Sequence, residues 1–600
     1  MNRLCVLLIL SGFCSATEIA RYVRIDGSNS NSGTSNDTDH AWLTIQYAID
    51  TSASAISAGD TAIIYVDSGT YSADTYIHFD GTNNGKHFII NGSGSIDEQK
   101  TTISLSHQTL GIYYFNAFAG GNVTFKDCEI ISSGALNSGS GGFFRVESTM
   151  ANREGCFLKF HNVIMGNGSI PTQQGLQLCS GIDLIIENGC RLDFPTGGLV
   201  SCIFAPNGMG DLTITDSHID YNGTAPAIQP KGDFGSIVLR NSSLKSSGNG
   251  LYYYGIIDMS LIASAETAYL DSVDISISGI KHNGILIPYY FKDVHLNKVT
   301  ITNTSPLDAG MGIEIGFDGE TNPHPIGRTR IYNCKVTHTI DGAHGLLVGS
   351  GADNYVISNT HITMPAGNDG ANLGFVIKAK NGTIINSSAI AERSLYFKSD
   401  ADENHVSNCY FRATGGFAGS CAIMWGNTAI AGVDCIPSFN SIRNCLLDQG
   451  DGDYVLYLGN AGGSPATATG GNGCHFDFNI YSGDILLRDG TNRISYTTLA
   501  ELQGFWDAQG YIYGTSGDDN SKHHAFDRTG LYIDMDGDGN REWVGIPQSS
   551  FGNGSVSTDN CINPPFMDSN GDCKVDFIDF CAFASEWLSC GLENQSACWE

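Results

Sequence analysis

Four basic residues, Lys378, Lys380, Arg393 and Lys398, fall within 21 positions of a 600-residue chain that holds only 31 lysines and arginines. An even spread would place about one there. Carboxylates surround them, with Asp369 upstream and Asp400, Asp402 and Glu403 just after Lys398. Such a set suits β-elimination on a uronic-acid polymer. One cation neutralises the sugar carboxylate and acidifies the proton on C5, and a lysine or arginine removes that proton. A neighbouring cation favours the neutral form that a lysine base needs. Lys378 and Lys398 are the candidate catalytic pair, and Arg393, Lys380, Asp400 and Asp402 are candidate substrate-binding residues. The plainer reading is a set of solvated lysines paired with local carboxylates.

Oxygen-rich loops offer a second chemistry. Asp568-x-Asn570-x-Asp572-x-Lys574-x-Asp576-x-x-Asp579 puts oxygen ligands at loop positions 1, 3, 5, 9 and 12. Lys574 would give only its carbonyl, at position 7, and Gly571 makes the sharp turn that a Ca²⁺ loop requires. A helix is expected to follow, with Ile578, Cys581, Phe583, Ala584, Trp587 and Leu588 on its apolar face. A second loop, Asp534, Asp536, Asp538 and Asn540, begins the same way but has Gly545 at the twelfth position. Ca²⁺ is therefore the expected cofactor. Asp448, Asp451 and Asp453 form a further acidic glycine loop, and His338, His344 and His361 lack metal-ligand spacing.

The elements that must hold these groups announce themselves by repetition. An apolar residue is followed two positions later by Asn, Asp or Ser, and three positions beyond by another apolar residue. The polar markers are Asp127, Asn162, Asp216, Asn241, Ser272, Asn333, Asn359, Asn386, Asn408 and Asn444. The two longest intervals read as doubled, with degenerate copies near Ile186 and Lys298, which gives a step of about 29 residues. The spacing predicts an all-β fold, a right-handed parallel β-helix of about 12 coils. In each coil Asn or Asp takes the left-handed bend that most residues avoid. A β-propeller or leucine-rich repeats fit worse, since the steps are irregular and the leucine consensus is missing. Cys128, Cys334, Cys409 and Cys445 directly follow markers, so they are expected in an interior column of small apolar residues. Cys409 and Cys445 are near enough in that scheme to be bridged or merely stacked. Trp42-x-x-Ile45-x-x-Ala48-Ile49 has helical spacing and suits an N-terminal helical cap over an exposed sheet edge.

Met1-Asn2-Arg3, the apolar run from Leu4 to Phe13 and a small-residue site at Ala16 read as a secretory signal peptide. The expected organisation is signal 1–16, β-helix 17–545, a Gly/Ser/Asn/Pro-rich linker 546–565 and an α-helical Ca²⁺-binding module 566–600. Sixteen cysteines remain after the signal, an even number that fits export to an oxidising compartment. A formal net charge of −31 argues against nucleic acid and anionic membranes as partners. The chain is expected to be a secreted monomer, in places attached to the cell surface.

Tyr22-Val23-x-x-Asp26-Gly27-Ser28, Asn31-Ser32-Gly33-Thr34, Gly59-Asp60-Thr61 and Gly69-Thr70-Tyr71 together resemble the start of secreted β-helix proteins of the pectate-lyase-like superfamily. That resemblance implies the fold and a carbohydrate-facing role, shared by lyases, glycosidases and non-catalytic surface proteins. The loop at Asp568–Asp579 resembles one repeat of a type I dockerin, which implies Ca²⁺-dependent docking to a cohesin-type domain; that family normally carries two repeats. The coils around Lys378 and Lys398 resemble those of the chondroitinase B and alginate lyase family. Lys378 would then be the base and Lys398 would stand where that family has arginine, while its Ca²⁺-holding glutamates are absent around Ala371 and Leu373. Asp341-Gly342-Ala343-His344-Gly345 looks like the His-Gly strand of polygalacturonases, and only Asp308, Glu314 and Asp318 offer carboxylates for hydrolysis. The leading expectation is thus a carbohydrate-active protein, a polysaccharide lyase. A glycan-binding adhesin and a polygalacturonase-like hydrolase are the alternatives.

Overall fold

The computed structural model describes residues 16–509, 521–523, 532–533 and 542–543, apart from internal stretches of which 459–474 is the longest. The signal segment before residue 16, both expected Ca²⁺ loops, the linker and the C-terminal module lie outside the described residues. The chain divides into two compact units, one of residues up to 223 with 230–235, the other of 224–229 with residues from 236 onward.

In the first unit the strand Glu18–Val23 pairs in parallel with Thr61–Val66, which pairs with His87–Asn91, which pairs with Asn122–Ser132. Cys156–Met165, Ile182–Glu187 and Leu212–Thr215 extend the ladder. A second parallel ladder runs through Ile77–Phe79, Tyr113–Phe115, Phe144–Val146, Leu176–Gln177 and Ile203–Ala205. Phe125, Phe144 and Phe160 fill the space between the ladders, with Phe144 edge-on to Phe160 at 4.9 Å. The expected helix is present as Ile45–Ala55 and buries Ile45, Ala48, Ile49, Ser52 and Ala53. Thr44 caps it through its side-chain oxygen, and Asp74 Oδ2 accepts the Ile45 N–H, which has no partner within the helix, at 3.1 Å.

The second unit repeats one coil plan. A strand such as Val356–Ser358 meets a bend at Asn359, then the strand His361–Thr363, then Leu373–Ile377. Each strand pairs in parallel with its equivalent one coil on: Ile357 with Ile384, Ile362 with Ala389 and Phe375 with Leu395. Stacked parallel coils of this kind are a parallel β-helix. All ten marker residues have positive φ, between 46° and 54°. The degenerate copies resolve to Asn188 and Lys298, at 57° and 50°. Phe478, at 56°, occupies one further bend that the polar pattern did not disclose.

The bends are tied along the stack by side chains. Asn359 Nδ2 donates to Asn333 Oδ1 and Asn333 Nδ2 to Asn297 Oδ1, both at 2.8 Å, and Asn408 donates to Asn386. The residue after the bend does a second job. Ser217, Ser242, Thr360 and Ser387 each donate their hydroxyl to the carbonyl two residues back, on the near side of the bend. Cys334, Cys409 and Cys445 do the same with their thiols, at 3.1–3.2 Å. The column is therefore not the purely apolar one expected: the thiols replace hydroxyls as donors to carbonyls that burial would otherwise strand. Cys409 and Cys445 are buried thiols, stacked and not bridged.

One interior group titrates abnormally. His338, 2% exposed, finds no hydrogen-bond partner for either ring nitrogen, and a Cβ on Gly312 would stand 3.3 Å from its Nε2. Burial, aided by nearby His344, pushes its pKa down to about 4. The unfolded chain, with an imidazole pKa of about 6.5, binds the proton more readily. The contribution of neutral His338 is thus complete above pH 6.5 and is lost as pH falls toward 4, by at most about 3 kcal/mol. Melting temperatures measured from pH 7 to pH 4 should fall less steeply for His338→Met than for the parent. At the bends, Asn359→Val should cost on the order of 2 kcal/mol in urea unfolding and Asn359→Gly about 1 or less, since only the β-branched side chain clashes in the left-handed region.

Candidate active site

The strands Ile313–Ile315, His344–Val348, Leu373–Ile377, Arg393–Lys398, Cys421–Gly426 and Tyr454–Leu458 form one parallel ladder of the second unit. Alternation decides which side chains face the coil interior. Phe397 packs on Trp425 at 5.5 Å and Trp425 on Phe476 of another strand at 5.3 Å, while Phe375 meets Phe411 edge-on. These rings point inward. Val376, Tyr396 and Met424, level with one another, therefore point outward, and so do Lys378 and Lys398, one position beyond Ile377 and Phe397.

The two lysines stand side by side as the sequence predicted. Ile377 is level with Phe397, and the Lys378 N–H continues the ladder to Val348 O at 2.8 Å. Neighbouring strands are about 4.8 Å apart. Lys398 is level with Gly426 on one side, and Gly349 follows Val348, the partner of Ile377, on the other. The pair is thus flanked by positions without side chains. Lys378 is 6% exposed and Lys398 is half-buried, so the pair lies below the surface.

The other predicted residues separate from this pair. Lys380 forms an ion pair with Asp402 at 3.2 Å, with both side chains partly exposed, and such a pair contributes less than about 1 kcal/mol. Its N–H donates to Asp353 Oδ1. Arg393 starts the strand that Lys398 ends, about 17 Å away along the chain direction, and its charge acts on Cys421. Burial nonetheless pushes the Cys421 thiol up to about 12, so it is not a nucleophile at neutral pH. Asp369 and Asp400 lie outside the described residues.

The hydrolase constellation is only partly visible. His344 begins its strand, and Glu314 is level with Leu347, about 10 Å further along, so the two do not meet across the ladder. Asp308 and Asp318 lie outside the described residues. Of the aspartates after Leu447, Asp448 accepts from the Tyr410 hydroxyl and shares Arg412 with Asp451, while Asp453 accepts the Gly419 N–H. Among the described residues no group of three His, Cys, Asp or Glu could hold a metal ion.

Sequence reasoning missed the apolar setting of the lysines. Outward-facing Leu347 and Val376 form one buried cluster with Leu373, and Cys421, Met424, Tyr454 and Tyr457 form another. Tyr396, partly buried, packs against both. The signal was present in Leu395-Tyr396-Phe397-Lys398, whose alternation places Tyr396 and Lys398 on one face once Phe397 is known to point inward.

No protein-family model matches the chain, and no curated protein matches it. Among solved structures it is similar to the A-module of Azotobacter vinelandii mannuronan C-5 epimerase AlgE6, at 10% identity over 80% of this chain and 93% of that one, TM-score 0.25. It is also similar to a rhamnogalacturonan lyase, at 10% identity over 68% of this chain and 84% of that one, TM-score 0.23. The A-module of the Azotobacter vinelandii epimerase AlgE4 matches at 12% identity over 74% and 91%, TM-score 0.18. Scores this low carry no weight for function; the parallel β-helix rests on the strand pairing itself.

Proposed function

We propose that the protein is a secreted, carbohydrate-active β-helix that cleaves uronic-acid polymers by β-elimination. The observation that carries this reading is the level placement of Lys378 and Lys398 on the outward face of one ladder, between Gly349 and Gly426. Lys398 neutralises the sugar carboxylate, which acidifies the C5 proton, and Lys378 removes it. The glycines put no side chain beside the two lysines. Lys380 and Asp402, already paired with each other, border the site, and Arg393 is too far along its strand to touch the same sugar.

A second reading, a glycan-binding surface without catalysis, draws on another face. Ser276, Thr302, Thr337 and Thr363 are level on four successive strands and line that face with hydroxyls. Polysaccharide is the partner in both cases. The loop Asp568–Asp579 supplies Ca²⁺ ligands for a dockerin-like module that would attach the protein to a cohesin-type domain, and the loop at Asp534–Asn540 is a second Ca²⁺ candidate.

Incubation with uronate polymers and Ca²⁺ should generate the ultraviolet absorbance of a C4–C5 double bond conjugated to the carboxyl group. Lys378→Ala should lower the rate at least about a hundredfold. Binding to the polymers without any such product in the parent protein would leave the binding reading ahead. Titration of the full chain with Ca²⁺ should show a site that Asp568→Ala with Asp572→Ala removes.

A further inference from the structure

Elimination needs a second proton transfer, to the leaving oxygen, and Lys398 is already committed to the sugar carboxylate. As the C5 proton leaves and the C4–C5 double bond forms, the C4–O4 bond breaks, and the departing oxygen must gain a proton to leave as an alcohol. On the two strands that carry the lysines, Leu373 and Val376 have no proton to give and an arginine such as Arg393 does not give up its own. Tyr396 has one. It faces outward two positions before Lys398, about 7 Å along the strand, and lies diagonally from Lys378 at about 8 Å between Cα atoms. Long side chains converge across such a diagonal. Its ring is held between Leu347, Leu373 and Val376 on one side and Met424, Tyr454 and Tyr457 on the other.

We infer that Tyr396 is the proton donor to the departing oxygen, and that this placement selects the substrate. The inference rests on the elimination reading above. Lys378 Nζ takes the C5 proton, the C4–O4 electron pair leaves with the oxygen, the C4–C5 double bond forms, and Tyr396 Oη protonates O4. Transfer of the proton from the Lys378 ammonium to the phenolate restores both groups, so no oxidant or other reactant is consumed. Base and donor stand on the same outward face of one ladder, and both therefore reach the sugar from one side. The elimination is syn, and H5 and O4 must lie on the same face of the sugar ring. That condition is met by 1,4-linked mannuronate and glucuronate. In galacturonate and guluronate the two groups lie on opposite faces.

The test uses the full chain with Ca²⁺ on four polymers, polymannuronate, a 1,4-linked glucuronan, polygalacturonate and polyguluronate, followed by double-bond absorbance. Cleavage of one or both of the first pair is expected. Tyr396→Phe keeps the ring in its apolar setting, so its melting temperature and KM should stay close to the parent while kcat falls at least about a hundredfold. Tyr396→His, which restores a proton donor, should regain part of that loss. Cleavage confined to polygalacturonate or polyguluronate, or an unchanged kcat in Tyr396→Phe, would overturn the role of Tyr396 and leave elimination standing. No product from any of the four polymers with the parent protein would overturn the elimination reading itself.

Discussion

The left-handed bend is the constraint on which each coil depends. A residue other than glycine loses roughly 1–2 kcal/mol by entering that region of backbone space, and the chain does so at every marker and again at Asn354, Asn381, Glu403 and Phe439. Asn and Asp reduce the cost, and their side chains return some of it by bonding to the equivalent residue one coil away, as Asn359 does to Asn333 and Asn162 to Asp127. The bend also turns a carbonyl inward, away from the strand ladders. The next side chain answers it, by a hydroxyl at Ser242, Thr360 and Ser387 and by a thiol at Cys334, Cys409 and Cys445. Two short-range devices, one on each side of a single backbone position, thus hold the register that puts equivalent residues of successive coils level.

Register is what gives the lysine pair its chemistry. Twenty residues separate Lys378 from Lys398 in the chain, and only the level stacking of Ile377 on Phe397 brings them together. A slip of one residue would turn one of them inward, because strand side chains alternate. The outward face around them is not open: Leu347, Val376, Met424 and Tyr457 are buried there. A charged pair set into apolar surroundings feels less screening than one in bulk water, and so acts more strongly on a bound carboxylate.

The repeat was legible because its chemical cause is local. A left-handed bend asks for Asn or Asp at one position and apolar residues at fixed offsets, and ten copies satisfied that request in the sequence. Lys298 was visible from spacing alone. Phe478 was not, since an aromatic residue at a positive φ follows no preference of its own and is held there by the coils around it. The thiol column escaped for a similar reason: cysteine after a marker reads as an apolar filler until the carbonyl it meets is seen. At the candidate site the sequence disclosed the cations through their rarity and grouped Lys380 and Arg393 with them by proximity in the chain. Structure separates both from the pair, Arg393 by the six-residue strand that Lys398 ends and Lys380 by its ion pair with Asp402. Tyr396 was hidden by its surroundings, one aromatic residue among apolar neighbours whose facing only the stack reveals.

The interval between bends carries a last consequence. Asn386 and Asn408 are 22 residues apart, the shortest step among the markers, and the strand that ends at Lys398 lies inside it. Three strands lie within that step, the last being His405–Ser407, and Glu392 alone separates Ser388–Ala391 from Arg393–Lys398. Its neighbour from Asn408 to Asn444 has 36 residues for the same plan. The coil of Lys398 therefore has the least chain to spare for a rim, and under the proposed function a long polymer laid across this ladder would meet its lowest sill there.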